Sequence, residues 1–265
     1  MTVWNRTASK GLPLVDVGAD LADSPAAAIS ASPITLVCLW DYAAMDQILE
    51  DAAVRDALLG RVLVQLTTGG PDDARRQGVI VENCGASFVA GGIMCYPRAV
   101  GAGDTVFIYS GDRPAFERYA DLLRALAPAQ QFVGVGKADV AIVYTAVWGM
   151  YFSAVGGLFE GLALVESAGI SSGMVEHLMR PMADKLVEGA LDACERLATK
   201  NFGGDQATVA GHIDGLESTC SQIRAQGIEP RMLAAFVNQL RIAAVAGRGD
   251  DDVSAVADVL MQAAN

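Results

Sequence analysis

Asn5, Arg6, Thr7 and Lys10 put an amide, a guanidinium, a hydroxyl and an ammonium into one short turn after the apolar run Thr2–Trp4. That set suits an anion. At the second strand end of a dinucleotide-binding half-domain it would neutralise the 2′-phosphate of NADP, where an NAD site holds an Asp or Glu. A plain solvated basic turn is the alternative. Two further segments end apolar runs with usable groups. Cys38-Leu39-Trp40-Asp41 could set Leu39 and Trp40 along a cofactor path, because ligands of doubly wound sheets sit beyond the carboxyl ends of strands. Leu66-Thr67-Thr68-Gly69-Gly70-Pro71 offers hydroxyls and free amides to a nicotinamide or its ribose. The competing role for Thr67 and Thr68 is to N-cap the next helix, which carries Asp72, Asp73 and Arg75. Gly91-Gly92-Ile93-Met94 offers a close backbone approach and a soft apolar wall, or else a glycine turn beside a core Met.

Tyr144, Trp148, Tyr151 and Phe152 share one broad face of a helix. Such a stripe is either core or the wall of a site. A buried phenol needs a partner, and Tyr144 facing a cleft could hand over a proton. The stretch that carries the stripe, Val140 to Phe159, holds no charge and is long enough to span a bilayer. Its three glycines, its Tyr, Thr, Ser and Trp, the lack of a basic flank, and Glu160 and Glu166 just beyond favour a helix buried on all sides in a soluble protein.

The elements that must position these groups fall into two regimes. Up to about Phe132, apolar runs alternate with helical patterns. The runs are Thr2–Trp4, Ile34–Leu39, Val62–Leu66, Ser87–Val89, Thr105–Tyr109 and Phe132–Val133, and Met45–Leu59 and Pro114–Leu126 read as helices. This predicts a mostly parallel sheet covered on both faces. From Ala138 onward only helical periodicity remains, over Ser172–Thr199, Asp205–Gln226 and Pro230–Ala246, with Gly227 as a stop. An α/β half (1–136) is thus followed by a long connecting helix (137–168) and an all-α half (169–265).

A net charge of −12 argues against nucleic acid and anionic membranes as partners. Five cysteines without C-x-x-C spacing read as buried thiols of a reducing compartment, and with no export signal visible the expected location is cytoplasmic. With His177 and His212 as the sole histidines, no metal centre is expected.

The runs VWNRTASK, LVCLWDY, FVAGGIMCYP followed by VG, TVFIYSGD and GRGDDDVSAVADVL together resemble NADPH-dependent imine reductases, within the wider β-hydroxyacid dehydrogenase superfamily. The resemblance implies a Rossmann domain, an interdomain helix and a helical domain swapped across a homodimer. It puts Asn5, Arg6, Thr7 and Lys10 on the phosphate-binding turn, Thr67 and Thr68 beside the cofactor, and Met94 on the substrate loop. Tyr144 falls at the proton-donor position, where the hydroxyacid dehydrogenases hold a Lys with an Asn one turn later; here the pair is Tyr144 and Trp148. Both that change and the replacement of the substrate-loop Ser by Met94 disfavour hydroxyacid oxidation.

The implied activity is NADPH-dependent hydride transfer to the C=N carbon of cyclic imines. Tyr144 donates or orients the proton, and Trp148, Phe152, Met94 and residues of a partner subunit form the pocket. The alternatives are a carbonyl reductase of the same superfamily and a truncated, non-catalytic protein that dimerises through its helical half. The central strand and glycine loop of the family fold are absent, which predicts two unpaired inner sheet edges. Either the sequence is shortened, or a protein of this length binds the pyrophosphate poorly or not at all.

Overall fold

The computed structural model describes residues 1–263. It divides into two compact units, Met1–Gly149 and Met150–Asn265. The first opens with β1 (Thr2–Val3), α1 (Leu12–Val15) and β2 (Asp20–Leu21), where β1 and β2 form a parallel pair of their own. Then come α2 (Pro25–Ser30), β3 (Ile34–Val37), α3 (Tyr42–Leu49), α4 (Ala52–Leu58), β4 (Val62–Gln65), α5 (Pro71–Asn83) and β5 (Ser87–Ile93). The unit continues with β6 (Val106–Gly111), α6 (Arg113–Leu123) and β7 (Ala129–Gly134).

Strands β3 to β7 build one five-stranded sheet in sequential order. The expected edges appear in this arrangement, since β1 and β3 each end their own sheet with no ladder between them among the described residues. The sheet is mostly parallel, as the sequence predicts, with one reversal. β3, β4 and β5 run together, but β6 is antiparallel to β5, and β7 follows β6. The chain returns from β5 to β6 through a 3₁₀ turn at Pro97–Ala99 rather than through a crossover helix, so the direction reverses.

Alternate strand residues feed two cores. Leu63, Phe88, Ala90 and Ile108 pack with Ile29, Met45, Leu49, Val54, Leu58 and Val81 from the helices on one face. Val62, Val64, Val89, Phe107 and Tyr109 pack with Ala115 and Leu123 of α6 on the other. The predicted helix Met45–Leu59 is two helices, because Asp41 and Asp51 each turn a carboxylate onto the first free amides, of Ala44 and Ala53. Gly91 and Gly92 are no turn: β5 runs through them, and they pair with Tyr109 and Ile108. β2 and α2 are too short for periodicity to announce.

Helix α7 (Asp139–Ser167) is 29 residues long and passes from the first unit into the second. By length and composition alone it could cross a membrane. It is not buried on all sides as expected, for within the chain only Val140 and Ala141 are buried. The second unit adds α8 (Glu176–Thr199), α9 (Val209–Ala225), α10 (Arg231–Ala243) and α11 (Ala255–Ala263). α9 starts four residues later than the pattern suggests because the Thr208 hydroxyl caps it, and Gly227 stops its end with φ of +82°. α10 gives way to a π-helical turn at Ala244–Arg248. The small core of this unit joins Val209, Leu240, Ala243 and Val256. The five thiols are free as expected, but Cys220 alone is buried; Cys38 and Cys194 are exposed.

Candidate active site

The carboxyl ends of β3, β4 and β5 and the first turns of α7 meet around a shallow cleft in the first unit. Tyr42, Leu66, Thr67, Thr68, Gly69, Gly91, Gly92, Val140, Ala141 and Tyr144 line it. Thr67 and Thr68 do not cap α5. Gly70 holds the cap position, and its N–H donates to Asp73 Oδ2 at 3.2 Å. Thr67 is buried and its Oγ1 accepts the Leu39 N–H at 3.0 Å, which joins the ends of β3 and β4. The loop presses on Tyr42 so closely that a Cβ at Gly69 would collide with that ring. Burial, with the Asp73 carboxylate adding to it, pushes the Tyr42 phenol up to about 12, so it stays protonated at neutral pH.

Two anchors aim α7 at this cleft. The Asp139 carboxylate accepts the Gly136 N–H at 2.8 Å, and the buried Ser110 hydroxyl of β6 accepts the Val140 N–H at 3.1 Å. One turn further on, Tyr144 lies over β5. A Cβ at Gly92 would stand 3.2 Å from the Tyr144 ring and 3.0 Å from Ile108, so glycine is what lets the phenol approach the strand. The Tyr144 ring lies tilted 6.0 Å from that of Trp148, which meets Tyr96 edge-on at 5.9 Å. Met94 and Leu39 pack partly buried against the same core that Tyr144 borders.

Of the residues singled out from the sequence, Thr67, Thr68 and Tyr144 line this one cleft, and Trp148 adjoins Tyr144. Trp40 is 94% exposed. Phe152 belongs to the second unit, where it is 55% exposed and meets Tyr151 edge-on. Asn5, Arg6, Thr7 and Lys10 form an exposed turn leading into a 3₁₀ helix, shaped by the Asn5 Oδ1 that accepts the Thr7 N–H at 2.9 Å. Among the described residues neither Arg6 nor Lys10 joins a salt bridge, so both cations stand open to an anion. Sequence reasoning missed Tyr42, Ser110 and Tyr96. For Ser110 a signal existed: a polar residue ending a wholly apolar strand needs a partner. Among the described residues no cluster of His, Cys, Asp and Glu could hold a metal.

A larger hollow lies in the second unit around Arg196, lined by Asp192, Glu195 and Asp205. Its guanidinium is fully engaged by Asp192, Asp205 and the Gly203 carbonyl, so the one cation of the hollow is already paired and the lining is otherwise acidic. The cleft at Tyr144 is the better candidate.

A mostly parallel sheet covered by helices on both faces, with a cleft at the carboxyl ends of its strands, is a nucleotide-binding frame, and the matches make it that of an NADP-dependent oxidoreductase. Residues 1–136 match the NAD binding domain of 6-phosphogluconate dehydrogenase, and residues 137–262 match the NADPH-dependent reductive aminase-like C-terminal domain. The chain is 26% identical over 262 residues to an NADPH-dependent reductive aminase of Aspergillus oryzae, covering 96% of this chain and 87% of that protein. A solved imine reductase from Pseudomonas sp. superposes with a TM-score of 0.89 at 30% identity, covering 98% of this chain and 90% of the other. The reductive aminase of Aspergillus terreus, solved with NADPH and ethyl levulinate, gives 0.83 at 30% identity and the same coverage. The chain belongs to the family of NADPH-dependent imine reductases and reductive aminases.

Proposed function

We propose that the chain is an NADPH-dependent imine reductase acting on cyclic imines. The single observation that carries the reading is the Tyr144 phenol held over Gly92 and facing the Thr67–Gly69 loop in one cleft. The cationic turn supports the choice of cofactor. It carries Arg6 and Lys10, has no acid within it, and is already folded by Asn5. NADPH, when bound, supplies the hydride. Thr67 and Thr68 offer hydroxyls that orient the cofactor beside Tyr144. The Tyr144 hydroxyl donates or orients the proton for the imine nitrogen, and Trp148 with Tyr96 gives that side of the cleft an apolar, aromatic wall suited to a ring. Met94, packed against the core that Tyr144 borders, adds to the pocket.

The same reading makes the protein a homodimer with exchanged helical halves. α8 has no buried residue, and Leu178, Met182, Leu186 and Leu191 lie open along it. So much apolar surface marks an interaction face, and a second copy would cover it and complete the pocket.

The test is Tyr144→Phe, which keeps the ring and deletes the hydroxyl. For an imine that arrives unprotonated, turnover should fall by about 10²–10⁴-fold with NADPH affinity unchanged. A preformed iminium ion needs no proton and should lose much less. Unimpaired turnover of neutral imines removes Tyr144 from the chemistry, and equal losses on both substrates reduce it to a positioning role.

A further inference from the structure

Behind the Thr67–Gly69 loop runs a line of buried amides. Gln65 ends β4, Gln77 sits on α5, and both are fully buried. Two carboxamides taken from water destabilise a fold unless each polar atom finds a partner, so a pair kept there needs a reason. Here the pairing is complete and runs one way. Gln65 Nε2 donates to Gln77 Oε1 at 2.5 Å. Gln77 Nε2 donates to Asp46 Oδ1 at 2.9 Å and to the Tyr42 carbonyl at 3.3 Å. Gln65 Oε1 accepts the Thr67 N–H at 3.0 Å, and Thr67 Oγ1 takes the Leu39 N–H.

The line then returns to the loop by the surface. Asp46 Oδ2 pairs with Arg76 at 2.6 Å, Arg76 pairs with Asp73 at 3.0 Å, and Asp73 Oδ2 accepts the Gly70 N–H at 3.2 Å. Both ends of the Thr67–Gly70 loop are therefore fastened to one network, through the Thr67 and Gly70 amides. An apolar pair would fill the space behind the loop but would leave the Thr67 amide without its partner.

We propose that Gln65 and Gln77 are positioning residues that hold the Thr67–Thr68–Gly69 loop in the conformation that receives the cofactor. This rests on the reading that the loop meets NADPH. The site lies away from the cationic turn that distinguishes the 2′-phosphate, so both nicotinamide cofactors should feel a loose loop equally. Gln77→Leu keeps most of the side-chain volume and removes every bond of this amide.

The experiment is a fluorescence titration of the full chain with NADPH and NADH, alongside steady-state kinetics on a cyclic imine. Gln77→Leu should weaken both cofactors by about tenfold, the value of one or two lost hydrogen bonds, while kcat at saturating cofactor stays within about threefold. Asp46→Ala, at the exposed end of the line, should weaken both by about threefold and keeps the test alive if Gln77→Leu does not fold. Arg75→Ala, which breaks the exposed pair with Asp72 on the same helix, should change neither. Folded variants that lower thermal stability yet bind both cofactors as the parent does would overturn the positioning role alone. A loss confined to NADPH would overturn it too. A parent chain that binds neither cofactor would overturn the underlying reading of the loop and this inference with it.

Discussion

The first unit sandwiches its sheet between two apolar clusters, with Val54, Leu58, Leu63 and Phe88 wholly excluded from water. The second gathers Val209, Leu240, Ala243 and Val256 into one small core, while α8 buries nothing and turns Leu178, Met182, Leu186 and Leu191 outward. A strand exposes two faces, and helices of the same chain can cover both. A helix whose large apolar side chains find no cover in its own chain leaves that surface for something else to cover. Fully burying such a side chain stabilises by about 1.5–3 kcal/mol, and these four still expose half to two thirds of their surface, so covering them amounts to roughly 3–7 kcal/mol. That is comparable with the stability of a marginal domain, at the low end of about 5–15 kcal/mol. The first unit thus closes its own cores, while the second leaves apolar surface that the proposed dimer would cover.

The strongest way to break this contrast is to charge the open face. Leu186→Glu buries a carboxylate in the proposed interface, and dimer dissociation should become easier by at least about 100-fold. Sedimentation or light scattering reads the effect directly. NADPH affinity, set in the first unit, should stay within about twofold, because distant sites act independently. Turnover should fall in step with the dimer population. A variant that remains dimeric, or a monomer with full turnover, would end the assignment of α8 to the interface.

The contrast also governs what the sequence could reveal. The apolar strands β3, β4 and β6 are continuous runs and fix their own places, and the Asn5–Lys10 turn and Tyr144 declare themselves by residue type. Direction is different. Nothing in Ser87–Ile93 or Val106–Gly111 states that β6 runs against β5, because a two-face-buried strand has the same composition either way. The glycines of β5 mislead for a related reason. Gly91 and Gly92 look like a turn until Tyr144, distant in sequence, arrives over the strand. Gln65 and Gln77 were illegible because an amide is ordinary until its burial is known. The uncharged Val140–Phe159 stretch predicts a buried helix, and in the chain it lies open; composition records that a surface must be covered, not by which chain.

A smaller effect sharpens the claim for the first unit. Its cationic turn is exposed and free of acid partners, so cofactor selectivity there should depend on one side chain. Losing a charge-assisted bond to a phosphate costs about 1.5–3 kcal/mol. Arg6→Ala should weaken NADPH by about tenfold or more and leave NADH nearly unchanged. Equal losses for both cofactors would move the 2′-phosphate site away from this turn. Combined with Leu186→Glu the effect should persist in the monomer, since both terms belong to separate units.

The smallest expected effect tests how the second unit manages with so little core. Its closing segment is clasped by charge. Asp258 is buried and accepts bonds from Lys200 Nζ and an Arg248 terminal nitrogen, each at 2.9 Å, and from Gln262. Arg248 also pairs with Asp251 and lies over the Phe202 ring at 4.8 Å. The clasp ties Lys200, just beyond α8, and the π-helical turn to α11. The hydrogen bonds from Lys200 and Arg248, helped by their charge, hold the Asp258 carboxyl below the usual carboxylate range. Its folded pKa therefore lies under the unfolded value of about 3.9. The stability it contributes is complete above that value and is lost as pH falls through the folded pKa. Below about pH 4 the second unit should loosen before the first, whose two cores are apolar. Amide hydrogen exchange across α11, compared with β4, would report it. Asp258→Asn keeps the shape but not the charge. It should lower the melting temperature at neutral pH by a few degrees at most, and flatten the acid dependence of α11 while leaving β4 as it was. Acid loosening of both units together, or an unchanged profile in the variant, would mean that the clasp is not what holds the second unit closed.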